Sequence, residues 1–411
     1  MLSYTIQLYK KAYSGLSRNS WYLCLVMFIN RSGTMVIPFM TIYCTQKLHF
    51  TVPQAGYILG LFGLGSILGA FIGGRITDKY GFYYVQVIAL IAGGLLFFLL
   101  GFQKTFISIS ICSFVLSMCN DSFRPANSAA IAYYSSDDNK TRSYSLNRLA
   151  VNLGWAFGGL LGGTLAQINY HLLFWVDGST NILAGLLLLK LIPFSKIIMP
   201  VKNAIRSVKD SAYRDGVYLA FILLVIVFAS CFFQLFTMQS LFYKTQWHFS
   251  EQFIGILMGV NGLLIVCFEM VIIHNLEGKR HPLRYISMGV ILTGAGFLLL
   301  NFLPAAYFAS FIVVIFVTIG EIMSMPFMNS FWIMRTNENN RGEYAALYTI
   351  AWSTAQILAP VAGGLMVAAW GYYPLWWVIG AMCLLASGGF TMLYKYTNKQ
   401  TIAIPTEETV F

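Results

Sequence analysis

Charge is scarce in this chain. Only 10% of its 411 residues are Asp, Glu, Lys or Arg, while 58% are apolar. Soluble domains carry about a quarter charged residues, so the composition sets the chain outside the water-soluble class. Cysteine is sparse as well. The seven present lie within or at the ends of apolar stretches, with no C-x-x-C pair. They read as small apolar packing residues rather than disulfides or metal ligands. Five scattered histidines give no metal-ligand spacing. The phosphate-cradling loop G-x-x-x-x-G-K-[ST] is missing, which leaves an ion gradient or passive diffusion as the energy source. No nucleophile constellation is present, so neither enzyme activity nor a cofactor is expected.

What the chain does have is length in its apolar runs. Twelve runs of about 20 residues match what a helix needs to cross roughly 30 Å of hydrocarbon. They are 20–44, 53–75, 83–102, 106–133, 143–167, 171–193, 216–241, 251–275, 283–302, 305–333, 343–369 and 372–396. The mean hydropathy of +0.69 agrees with them. The expected fold is all-α and integral to the membrane, with twelve transmembrane helices. The net charge of +11 reads as topology rather than nucleic-acid binding. With a cytoplasmic N-terminus, only Lys47, Lys104 and Lys244 fall outside, and Arg31, Arg124, Arg148 and Lys190 lie within spans. Every other Lys and Arg is then cytoplasmic, as the positive-inside rule requires. Both termini are expected in the cytoplasm of a multi-pass protein of the cytoplasmic (inner) membrane. The first run is too long for a signal h-region and reads as a retained span. The Asn139-Lys140-Thr141 sequon falls on the cytoplasmic side and is not expected to carry a glycan.

The one long polar connection, 195–214, holds five basic residues and Pro200 and divides the spans six and six. The expected organisation is a bundle over 1–194, a basic linker over 195–214, a second bundle over 215–396 and a cytoplasmic tail over 397–411. Shifting the chain by 199 brings Gly56, Gly60 and Gly63 onto Gly255, Gly259 and Gly262, and Asp78 onto Glu277. A shift of 201 brings Pro125 onto Pro326, and Gly162-Gly163 onto Gly363-Gly364. At 202, Tyr170 meets Tyr372 and Phe174-Trp175 meets Trp376-Trp377. Parallel repeats of this kind mark transporters that work by rocking one bundle against the other.

After the second span the chain reads Gly74-Arg75-Ile76-Thr77-Asp78-Lys79-Tyr80-Gly81. This resembles the G-x-x-x-D-R/K-x-G signature between helices 2 and 3 of the major facilitator superfamily. The usual basic pair beyond it is replaced by Phe82 and Tyr83. The resemblance implies a gating loop in which Gly74, Asp78, Lys79 and Gly81 latch one conformational state. The fifth span carries Gly154, Gly158, Gly159, Gly162 and Gly163, which is similar to the superfamily's antiporter motif G-x8-G-x3-G-P-x2-G-G. Ser145 stands at the first Gly and Gly159 at the Pro; pure helix packing is the alternative reading. The fourth span's Arg124-x2-Asn127-Ser128-Ala129-Ala130 resembles the R-x-x-Q-G-x-A-A pattern of drug:proton antiporters.

In that superfamily helices 1, 4, 7 and 10 line the cavity. The resemblance therefore implies a substrate cavity built from Asn30, Arg31, Phe123, Arg124, Gln234, Phe236 and Trp332. Asp121 and Glu321 are the proton-coupling candidates, because a charge at bilayer depth is costly and usually functional. Asp121 and Arg124 share a helical face, so a fixed pair with Arg124 or Arg31 is the alternative for Asp121. No Arg or Lys lies within a turn of Glu321 in sequence. Glu269 and His274 line a vestibule or pair locally. Asp177 is expected to cap a helix or serve an interface, and Arg148 to anchor a gate or snorkel. Trp21, Trp370 and Trp376 read as interfacial belt residues. Phe232, Phe233, Phe331, Met325 and Met328 extend either an apolar wall or interhelical packing.

The function expected is secondary transport of a small molecule by a monomer that meets protons and the lipid bilayer but no nucleic acid. Proton-coupled export of amphipathic compounds leads. The alternatives are proton symport of a polar or anionic metabolite or small peptide, and lipid handling or sensing on a transporter scaffold.

Overall fold

The computed structural model describes residues 15–136, 139–194, 211–336 and 340–402. All regular structure among them is helical, and twelve helices are long and apolar enough to cross a membrane. Spans 1 to 6 are Arg18–Lys47, Val52–Tyr80, Phe82–Gly101, Phe106–Tyr134, Arg142–Ile168 and His171–Leu191. Spans 7 to 12 are Gly216–Thr245, Glu251–Leu276, Pro282–Leu299, Tyr307–Met334, Gly342–Trp370 and Tyr372–Asn398. Most of the linker, 195–210, and the tail beyond 402 lie outside the described residues. The last helix runs on to Ile402, so the start of the expected tail is helical.

The end of span 2 differs from expectation for a local reason. Span 2 does not stop at 75 but continues to Tyr80, so the segment read as a gating loop is helix up to its last residue. The turn itself is Gly81, at φ +86°, whose N–H closes on Thr77 O at 2.9 Å. Only glycine adopts that conformation without strain.

Spans 1 and 7 are both interrupted. In span 1 the helix stops at Ser32 and restarts at Val36. In span 7 it stops at Phe232, passes through a 3₁₀ turn and restarts at Met238. The repeat extends to the turns that follow. Phe50 N–H bonds to Cys44 O and Phe249 N–H to Tyr243 O, each at 2.9 Å. His49 and His248 hold the left-handed position in these turns, at φ 57° and 55°. Thr51 and Ser250 then cap spans 2 and 8 through their hydroxyls. All four pairs are offset by 199 residues.

By contacts the chain forms two compact units. The first comprises Met1–Lys202, Phe233–Val271 and Gln356–Gly371; the second comprises Asn203–Phe232, Ile272–Ala355 and Tyr372–Phe411. Spans 7, 8 and 11 are thus each divided between the two.

The first unit shows why its glycines fall where they do. Gly65, Gly69 and Gly73 of span 2 lie against the backbone of span 4, so a Cβ at any of them would collide. Gly56 meets the backbone of Pro360 on span 11, and Gly255 on span 8 meets Gly159 and Gly163 on span 5. These two crossings are the same contact twice, since Gly56 matches Gly255 and Gly159 matches Pro360 under the repeat. Small residues permit such approach where lipid supplies no hydrophobic drive.

In the second unit Trp376 is fully buried and stacks on Phe297 with centroids 5.8 Å apart. It is a core residue, not a belt residue. Trp21 and Trp370 are exposed, as interfacial anchors would be.

Candidate functional site

In the first unit, span 4 kinks at Ser122, between helices ending at Asp121 and starting at Phe123. Pro125, which cannot donate its backbone nitrogen, sits at the start of the second piece. Asp121 is buried at 3% exposure, and Arg124 Nε lies 2.7 Å from its Oδ1. The Arg124 side chain remains half exposed. Ser117 Oγ lies 3.5 Å from the other carboxylate oxygen. Arg31 on span 1 stands within electrostatic reach of both Asp121 and Arg124. The cluster therefore pairs one guanidinium with the carboxylate and sets a second within electrostatic range of it. Such a group of charges can exchange partners when a proton or a charged solute arrives.

A second buried acid lies beside the break in span 1. Asp177, fully buried on span 6, accepts the backbone N–H of Met35 at 3.1 and 3.0 Å and that of Val36 at 2.8 Å. Asn181, one turn further, donates to the Asp177 carbonyl at 2.8 Å and accepts from Asn30 Nδ2 at 2.8 Å. Asn30 is thus buried and committed to span 6. Gly154 and Gly158 lie against the backbone of Arg31 and Ser32, and Gly162 against Met35 and Phe39. Gly159 and Gly163, on the other face of span 5, meet span 8. One glycine motif therefore serves two neighbours.

Further along span 5, Arg148 pairs with Glu269 on span 8, and Asn152 Nδ2 reaches the same carboxylate at 3.5 Å. Two residues expected to serve separately are brought together. At the other end of the unit Glu251 accepts from Lys244 at 2.8 Å and from the Tyr170 hydroxyl at 2.7 Å. Burial first, and then the bond to Glu251, push the Tyr170 phenol above its ordinary range. Asn127 accepts from Gln86 and donates to Asn147, each at 3.2 Å, tying spans 3, 4 and 5.

The expected cavity aromatics divide. Phe123 packs in the hydrophobic core with Leu23, Val26 and Phe82, and is 1% exposed. Phe236 is partly exposed with its ring 5.5 Å from Trp155. Gln234 is buried, donating to Ala359 O at 2.7 Å and accepting from Thr237. Asp78 and Lys79 are exposed at the end of span 2, and Gly74 faces Pro125.

The second unit holds Glu321 and Trp332. Glu321 is partly buried on span 10, its carbonyl accepting from Ser324 at 3.3 Å. Trp332 donates to Asn329 at 3.2 Å, with its ring 6.2 Å from Tyr348. Phe232, Phe331 and Met328 are buried, so they pack rather than present an open wall. Asp215, just before span 7, accepts Arg335 through both oxygens at 2.8 Å, together with the Tyr344 hydroxyl and Tyr218 N–H. Burial opposes the Asp215 charge, but these donors outweigh it and hold its carboxyl below the ordinary range. Ser17 fills the matching place before span 1 with a neutral hydroxyl, capping Ser20 and reaching Tyr134 O.

Twelve such spans, repeated halves and buried charges at mid-span now meet a direct comparison. The family model described as Major Facilitator Superfamily matches residues 23–355 and 280–409. The chain belongs to the major facilitator superfamily. It is therefore a transporter and a multi-pass membrane protein. Among relatives of this superfamily chain, a Na(+), Li(+), K(+)/H(+) antiporter of Planococcus maritimus is 24% identical, covering 92% of this chain and 95% of its own. Multidrug resistance protein 1 of Bacillus subtilis (strain 168) is 22% identical over 81% of this chain and 85% of its own. A POT family transporter in complex with 5-aminolevulinic acid shares the fold at a TM-score of 0.80 and 14% identity, covering 95% of this chain and 98% of its own.

Among the described residues no group of three His, Cys, Asp or Glu side chains gathers as metal ligands. Asp177 was expected to cap a helix or serve an interface and Glu269 to line a vestibule or pair locally, but the partners of these two and of Asn127 were not legible beforehand. Their one sequence signal was polarity inside an apolar run.

Proposed function

We propose that this chain is a proton-driven antiporter that expels small amphipathic compounds across the cytoplasmic membrane. The observation that carries the reading is Asp121, a carboxylate buried at mid-span beside Arg124 and in reach of Arg31. An acid so placed binds a proton or keeps a cation, and can alternate between them as the cavity opens to each side. Glu321, which the repeat sets opposite Asn120, is the acid at nearly the same depth in the other half. The relatives named above include two whose names specify an antiporter and multidrug resistance.

In this reading the bundles 1–194 and 215–396 rock about the site, joined by the 195–214 linker, with both termini cytoplasmic. Asp78 and its neighbours latch one state at the end of span 2. Proteoliposomes carrying a pH-sensitive dye test the proposal. Addition of a lipophilic cation such as ethidium on the low-proton side should move protons in the opposite direction. No proton movement with ethidium, Na⁺ or K⁺ sinks it.

A second reading has its own observation. Two arginines around one acid leave a net positive site, which suits an anionic solute. Proton movement in the same direction as an added carboxylate solute would establish symport instead.

A further inference from the structure

We propose that Asp177 is a proton-binding positioning residue. Its charged carboxylate holds the break in span 1, and uptake of a proton releases that break and moves the Arg31 that precedes it. The inference adds a site to the antiport reading above and rests on it only for the use made of the proton.

Helix breaks leave backbone N–H groups without intrahelical partners. Here those of Met35 and Val36 fall to Asp177 and account for the hydrogen bonds its carboxylate accepts. Among the described residues its carboxylate makes no ion pair, and the groups that answer it are backbone N–H dipoles. Span 3, packed against span 6, carries no Asp, Glu, Lys, Arg or His, and the second piece of span 1 carries Lys47 at its far end, over the Tyr170 ring. The first piece of span 1 contributes Arg31, two residues before the break, and Arg18 at its far end. The described basic side chains of span 5, Arg142 and Arg148, lie in its opening turns, away from the glycines that meet the break. Span 6 itself has His171, whose ring meets Tyr43 and Phe174, and Lys190 near its end.

The internal repeat separates a structural need from a chemical one. Span 7 breaks at the matching place, yet the residue matching Asp177 at an offset of 202 is Ile379. Gln234, inside that second break, bonds through its carboxamide to Ala359 O and to the Thr237 hydroxyl. A broken helix in this fold therefore needs no acid. What a carboxylate adds over an amide is an exchangeable proton.

Protonation forms one O–H bond and converts an acceptor-only group into one that also donates. A proton on Oδ1 leaves both N–H groups on Oδ2 but removes the charge that strengthens their bonds, so the hold on the break weakens. The segment answers by moving, and its surroundings allow it. Gly154 and Gly158 offer it a smooth face on one side, and Gly33 fits under Thr180 on the other. Arg31 travels with the segment, so the proton on Asp177 is felt at Asp121 and Arg124.

The test uses the full chain in lipid nanodiscs without substrate. Amide exchange of Met35 and Val36, corrected for its intrinsic pH dependence, is followed in the wild type, Asp177→Asn and Glu321→Gln between about pH 5 and 9, where a perturbed buried carboxyl titrates. Infrared difference spectra over the same range follow the carboxylic C=O band. Exchange at Met35 and Val36 should rise about tenfold on acidification in the wild type and Glu321→Gln, the difference in worth between charge-assisted and neutral hydrogen bonds. It should be independent of pH in Asp177→Asn, which should also lose the part of the titrating band that Asp177 contributes. Flat protection in the wild type overturns the proposal, whether or not the Asn variant folds. So does a titrating band whose amplitude is the same in Asp177→Asn as in the wild type. Failure of the antiport reading appears elsewhere, as proteoliposomes without substrate-driven proton movement, and leaves these two measurements untouched.

Discussion

At the scale of single residues, the buried acids divide by what answers their charge. Asp121 has a guanidinium, Glu269 has another, Asp215 has a guanidinium and two further donors, and Asp177 has, among the described residues, backbone N–H groups alone. Arg124 is half exposed, so solvent weakens its pair with Asp121 relative to a fully buried one. A cycle of Asp121→Asn, Arg124→Gln and the double variant should therefore show a coupling of about 1 kcal/mol in substrate binding. Strict additivity would dissolve the pair, and repeating the cycle with Arg31→Gln measures the competing cross-helix partner. Glu321→Gln should abolish accumulation driven by a pH gradient while leaving substrate exchange near wild type. Normal gradient-driven accumulation in that variant removes Glu321 from the coupling path.

Helices in this chain are positioned by what their glycines allow. Span 5 uses Gly154, Gly158 and Gly162 against span 1, and Gly159 and Gly163 against span 8, because residues four apart share a face. At Gly163 a Cβ would fall 2.7 Å from Gly255 Cα, closer than two carbons can approach. Gly163→Val should force the helices apart and cost about 1–3 kcal/mol, as overpacking does. Gly388→Ala is the control, since nothing lies within 4 Å of its added methyl, and helix propensity there favours alanine by up to about 1 kcal/mol. Thermal melting in one detergent compares them. Equal melting temperatures would mean the span 5 contact carries no strain.

At the scale of the whole molecule, each unit has a charged tie at an end of its helices. In the second unit Asp215 joins the start of span 7 to the end of span 10 and the start of span 11. Its carboxyl is held below the ordinary range, so the tie contributes stability that is complete above the unfolded value of about 4 and is lost as pH falls through the folded one. Melting temperature should drop as pH falls below about 4 in the wild type, and Asp215→Asn should flatten that drop. A profile identical in both would refute the tie. Asp78→Asn should change the population of conformational states without altering the binding site, since Asp78 is exposed at the last turn of span 2. Cysteine accessibility on the two membrane faces reads this out; lost binding with unchanged accessibility contradicts it.

The sequence by itself determined the number of spans, their helical nature and the repeat, because crossing hydrocarbon imposes one length and one way to satisfy the backbone. It also placed Asp121 and Arg124 on one face, since their spacing is local. Only the tertiary structure decided which neighbour each buried group meets. Asp177 lies 142 residues from Met35 and Glu269 lies 117 from Asn152, and nothing periodic in either segment announces the other. The gating segment stayed hidden for a related reason: polar residues there read as loop, while packing of span 2 against span 4 carries the helix on to Gly81. Aromatic residues were the least legible of all. Phe123 and Trp376 look like any other ring in an apolar run, and burial by distant helices, not composition, turned them from candidate wall and belt into core.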